Sequence, residues 1–170
     1  MGDISRYLEI RDSLQTGDLV EFQGKSIISR LIRWRTKQIV NHTAIIIRLH
    51  SYFTERVFVT EALSLVTLSP LSERLKRYKG HVYVSRLKPL YASHRKDIGR
   101  FVLLQAGKKY DYSGLAKQVF GHINVDLHRL FCSELATAAY QATGLLNGAK
   151  ALWPGEFQKT GLFEEKERLF

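Results

Sequence analysis

Arg129–Tyr140 reads RLFCSELATAAY and carries the only cysteine of the chain, Cys132. At helical spacing Cys132, Leu135, Ala136, Ala139, Tyr140 and Thr143 fall on one face. The helix has a natural stop at Gly144. Cys132 therefore points to the packed side, which leaves two readings open. It is a small apolar filler, a common use of a reduced cysteine. Or it is a nucleophile, because the unpaired N–H groups and dipole of a helix's first turn favour a thiolate and a developing oxyanion. The second reading needs a base held nearby.

Six histidines are available. His50, His81, His94 and His122 stand at element ends or in polar context, the usual place of a solvated histidine. His128 precedes Cys132 by four residues and shares its face only if the helix begins earlier. His42 differs: it opens the apolar run NHTAIIIRL (Asn41–Leu49) and shares a strand face with Ala44 and Ile46. A base there is held by rigid backbone. A histidine hydrogen-bonded at the edge of a core strand is the plainer alternative. In RVFVTEALS, Val57, Val59, Glu61 and Leu63 share one face, so Glu61 interrupts an apolar stripe. A buried carboxylate is costly unless paired. Glu61 either faces water on an edge strand or orients the His42 ring as the third member of a triad.

The surrounding elements set the fold class. LQTGDLVEF (Leu14–Phe22) predicts a turn at Gly17 followed by a strand, and KSIISRLIRWRTK predicts a short helix. In that helix Ile27, Ile28, Leu31 and Ile32 cluster on one side, and Arg30, Arg33 and Lys37 line up on another. SPLSERLKRY predicts a helix capped by Ser69 with Pro70 in its first turn. HVYVSRL alternates as a strand, and SHRKDIGRFVLLQAGKK predicts a longer helix after Ser93. Most strands lie in the first half, and strand–helix–strand units do not repeat. The expectation is α+β with an antiparallel sheet. With 170 residues and no linker or repeat, one domain over 1–170 is expected.

These motifs in this order, TGDLVEF, NHTAIII, VTEAL, FCSELATAAYQATGL and WPGEF, resemble the permuted branch of the NlpC-type papain-like cysteine hydrolases, in its YiiX/YebB-like subgroup. The likeness spans about Leu14 to Phe157. In that branch the Gly-Asp turn and the histidine come first and the cysteine last, as here. The resemblance implies a papain-like, circularly permuted fold: an antiparallel half-barrel sheet packed against helices. It implies Cys132 as nucleophile, His42 as general base and Glu61 as the group that orients it, with the Cys132 N–H helping to bind the oxyanion. It implies supporting roles for Gly17, Asp18 and Tyr110, the last as an aromatic beside the cleft, and a structural Pro154-Gly155 turn. The chemistry implied is hydrolysis or acyl transfer through a thioester, on a peptide-type amide, such as a cell-wall peptide, or on a lipid acyl bond. No cofactor or metal is required, and the scattered histidines lack tight zinc-ligand spacing.

A formal charge of +10 attracts anions without choosing among them. Arg30, Arg33 and Lys37, with Trp34 beside them, suggest an anionic surface as a possible partner. A nucleic-acid-binding protein is one rival, prompted by RLIRWRTK, but no recognised motif supports it and the basic residues are spread along the chain. A binding module of the same fold with its chemistry lost is the other. The start MGDISRYLEI shows no secretory pattern, and no apolar run approaches the roughly 18 residues of a spanning helix. With one cysteine excluding an internal disulfide, a soluble, cytoplasmic protein is expected, export by another route remaining open.

Overall fold

The computed structural model describes residues 4–50, 55–62, 65–109, 132–148 and 150–170. Its centre is a six-stranded sheet with every pairing antiparallel. The strands are β1 (Leu19–Gly24), β2 (His42–His50), β3 (Glu55–Ala62), β4 (Val66–Pro70), β5 (Gly80–Ser85) and β6 (Glu167–Arg168). Their order is β4-β3-β2-β1-β5-β6, so the sheet is open. The α-helices among the described residues are α1 (Ser5–Ile10), α2 (Ile27–Thr36), α3 (Leu71–Lys76), α4 (Arg95–Leu103) and α5 (Cys132–Ala142). This is the mixed helix and antiparallel sheet that the order of elements predicts.

Both faces of the sheet are covered. Val20, Phe22, Ala44, Ile46, Val57 and Val59 pack with Leu71 and Leu75 of α3 and with Tyr7 and Ile10 of α1. On the other side Leu19, Ile45 and Ile47 pack with Ile98 and Val102 of α4 and with Ala136, Ala139 and Tyr140 of α5. A strand buried on both faces has no polar alternation to show. That is why residues 44–47 read as a continuous apolar run.

Two expectations need correction. Ser69 and Pro70 do not start a helix; they close β4, where Ser69 pairs with Val59 and Pro70 with Phe58. Pro70 lacks an N–H and is tolerated because β4 is an edge strand. Helix α3 begins one residue later, with no side-chain cap. The second concerns α2. Arg33 does not join an exposed basic row: it turns inward and donates to the Gly24 carbonyl and to Asn41 Oδ1.

Two glycines fix the ends of the site-bearing elements. Gly17 adopts φ 89°, a left-handed conformation that other residues enter with strain. Its N–H donates to the Ile46 carbonyl, and its own carbonyl accepts from the Tyr140 hydroxyl at 2.9 Å. That bond ties α5 to the start of β1. Gly155, also at φ 89°, lies against Gln38 and Val40, just before His42.

Candidate active site

The site forms where the sheet opens. β1 stays paired with β2 down to Phe22↔His42, whereas the β2–β3 register ends at Ile45↔Thr60. Beyond that point β3 continues through Glu61 and Ala62. The Thr43 N–H is thereby released from the ladder, and it donates to Cys132 Sγ at 3.3 Å. Cys132 comes from α5 on one face of the sheet; His42 and Glu61 come from strand positions that face the other. They meet at the splayed end. All three are buried.

His42 Nε2 and Glu61 Oε2 lie 2.6 Å apart. With Nε2 so engaged, Nδ1 is the ring atom left for Cys132, which also hydrogen-bonds the imidazole. Burial disfavours a charge on the ring. Cys132 and then the Glu61 carboxylate outweigh it, and His42 is raised from 6.5 to about 10. Burial likewise opposes ionisation of Glu61, but His42 and Arg74 overcome it and hold the carboxyl at about 2. The ring also packs against Phe22, centroids 5.4 Å apart.

Arg74 completes this arrangement and was not foreseen. Its Nε donates to Glu61 Oε1 at 2.7 Å and its Nη2 to Oε2 at 3.1 Å. Its guanidinium lies over the Phe22 ring at 4.7 Å and the Tyr78 ring at 5.2 Å. The sequence held one signal: Leu71 and Leu75 are the buried residues of α3, so Arg74 sits on the edge of the inward face. Nothing in the sequence could point to the Thr43 N–H, because every residue but proline carries one.

Gly17 and Asp18 lie at the other end of β1, about 13 Å of extended strand from the Phe22–His42 pair. Asp18 accepts from the Leu87 and Gln15 N–H groups and from Arg95 Nη1. Burial raises its pKa, and Arg95 and the backbone donors oppose that rise. Its place is that of a fold tie between β1, the chain after β5 and α4, remote from the sulfur. Tyr110 lies outside the described residues, as do His122 and His128. Phe157 packs edge-on against Tyr140 of α5, and Gly155 of the Pro154-Gly155 turn lies against Gln38 and Val40, which lead to His42.

Glu134, two residues after Cys132, is part-buried, and burial raises it to about 7. Its Oε1 has no hydrogen-bond partner among the described residues.

The sequence matches, over residues 13–160, the family described as permuted papain-like amidase enzymes, YaeF/YiiX, C92. The chain belongs to that family. Among solved structures it resembles YiiX from Escherichia coli O157:H7, described as a metalloprotein, with a TM-score of 0.57 at 24% identity. The superposition covers 76% of this chain and 66% of that one, so the chain spans just under two thirds of its neighbour. At that identity the likeness concerns the fold. No curated protein matches the sequence.

Proposed function

We propose that this member of the amidase family is a cysteine hydrolase in which Cys132 is the nucleophile, His42 the general base and acid, and Glu61 the group that orients and charges His42. The observation that carries the reading is one imidazole engaged on both sides, by Glu61 at 2.6 Å and by Cys132. An apolar filler cysteine has no use for a buried histidine–carboxylate pair beside it, since well-packed apolar residues can often replace such a pair at no loss of stability.

With His42 protonated and Cys132 a thiolate, sulfur attacks the substrate carbonyl carbon. A C–S bond forms and the carbonyl electron pair moves to oxygen. In this reading the Cys132 N–H, in the first turn of α5, donates to that oxyanion. When the tetrahedral centre collapses, the bond to the leaving amine or alkoxide breaks, and His42 Nδ1 gives its proton to the leaving atom. Neutral His42 then takes a proton from water as that water attacks the thioester. The C–S bond breaks, the acid departs and the thiolate is restored. Glu61 keeps Nε2 bonded throughout and balances the imidazolium. The substrate class is an amide of peptide type or a lipid acyl bond; an acceptor other than water would turn hydrolysis into acyl transfer.

The YiiX neighbour's description as a metalloprotein raises the question of a metal here. Among the described residues no group of three His, Cys, Asp or Glu side chains is placed to hold one. His42 and Glu61 direct their atoms at each other, at Cys132 and at Arg74. These residues do not fit a metal site, and no step runs through a metal.

The test is the rate of iodoacetamide alkylation of Cys132 against pH, in the wild type and in His42→Ala. Rapid labelling at about pH 6 that disappears in the variant is expected of a thiolate–imidazolium pair. Labelling that rises only near about pH 8.5 in both proteins would mark an ordinary thiol and end the enzyme reading.

A further inference from the structure

Helix α2 turns an unusual face to solvent. Ile27, Leu31 and Trp34, spaced i, i+4 and i+7, form one stripe and are 84%, 48% and 76% exposed. The opposite side is the one that holds the helix down, through buried Ser29 and through Arg33 bonded to Gly24 and Asn41. At about 100° per residue, Arg30 and Arg35 flank the apolar stripe on its two sides, and both are exposed. Exposed Lys25 and Lys37 extend the cationic border at the two ends.

We propose that this face of α2 docks on an anionic lipid bilayer. An apolar stripe with a tryptophan, bordered on both sides by arginines, matches an interface where apolar side chains enter the acyl boundary and cations meet headgroup phosphates. Charge complementarity selects this occupant. A second copy of the chain would bring Arg30 and Arg35 against themselves, and the +10 charge of each molecule adds to that repulsion. A nucleic acid would use the arginines but leave Ile27 and Leu31 without a partner.

The position of α2 links docking to the site. The helix leaves β1 at Gly24 and returns the chain through Val40 and Asn41 to His42. It therefore lies at the end of the sheet where the β2–β3 ladder opens. A bilayer against α2 would face the catalytic end. Resting on the hydrolase reading above, this narrows the substrate to an acyl or amide bond borne by a membrane lipid or by a lipid-anchored peptide.

The experiment is flotation of the protein with phosphatidylcholine vesicles, with and without phosphatidylserine. The wild type should float with the anionic vesicles at low salt and much less with the neutral ones. Ile27→Ser combined with Trp34→Ser should weaken binding at least about tenfold. Arg30→Gln combined with Arg35→Gln should weaken it by a comparable factor and flatten its salt dependence. Cys132→Ser should float like the wild type, which separates docking from catalysis: failure of the enzyme reading leaves this result intact. Unchanged Cys132 alkylation in the α2 variants certifies that they fold. Equal flotation of wild type and the Ile27/Trp34 variant would overturn the proposal. So would binding to duplex DNA but not to vesicles, or dimer formation lost in the same variant.

Discussion

Arg74 grips Glu61 through two donors, Nε on Oε1 at 2.7 Å and Nη2 on Oε2 at 3.1 Å. Glu61 is almost wholly buried, where a lone carboxylate would take up a proton. Arg74 and His42 together keep it ionised, and the two-pronged contact fixes which oxygen faces His42. On the proposed hydrolase reading, Arg74 is a positioning residue acting through Glu61. Arg74→Met should lower kcat/KM by roughly tenfold to a hundredfold, the scale of a slightly misplaced catalytic group. With the cation gone the pKa of Glu61 rises, so the acid limb of Cys132 alkylation should move to higher pH. Arg74→Lys keeps the charge without the fork; it should hold the limb near its wild-type place while restoring only part of the rate. A rate loss with an unmoved limb in Arg74→Met would reduce Arg74 to a packing element.

The ring charge of His42 can be followed directly. Its imidazole should titrate near 10 by NMR, because the Cys132 thiolate and Glu61 outweigh the cost of burial. Glu61→Gln removes one of the two anions and should lower that value by roughly one to three units. Cys132→Ser removes the other and should also lower it. A wild-type titration close to 6.5 would mean that the ring lacks both partners.

The same shifts predict how stability depends on pH. Glu61 is lowered from 4.5 to about 2, so its contribution is present above 4.5 and is lost as pH falls through 2. His42 is raised from 6.5 to about 10, so its contribution is complete below 6.5 and is lost as pH rises through 10. The pair therefore contributes most between pH 4.5 and 6.5. Urea midpoints across this range, compared between wild type and Glu61→Gln, test it. The variant should lose the steepest part of the acid-side fall, and parallel curves would contradict the assignment.

The parts of this fold that were legible in the sequence are those in which one residue type admits few environments. His42 at the head of a doubly buried strand and Glu61 within an apolar stripe stood out because their burial demands partners. The helix of Cys132 showed through its spacing. What stayed hidden depends on tertiary context. Ser69-Pro70 has helix-start chemistry, yet pairing with β3 overrode it. β6, two residues long, exists only because the tail lies along β5. Arg33 read as a surface cation until Gly24 and Asn41 gave it acceptors, and Arg74 became visible only once α3 was laid over Phe22.

Glu21 supplies a last prediction beside the site. It is fully buried and pairs across the ladder with Thr43, the residue whose N–H meets the sulfur. Glu21 Oε2 accepts from Lys166 Nζ at 2.7 Å and from the Ser85 hydroxyl at 2.8 Å, while Oε1 has no partner among the described residues. Lys166 is its only cationic contact among the described residues. Lys166→Met leaves a buried carboxylate unbalanced and should destabilise the protein by roughly 3 kcal/mol, at the low end for a broken buried pair because Lys166 keeps some solvent contact. Adding Glu21→Gln removes the stranded charge and should recover much of that loss. Chemical denaturation of the two single variants and the double variant gives the coupling. If Lys166→Met costs no more than an exposed substitution, about 0.5 kcal/mol, the tail does not neutralise Glu21.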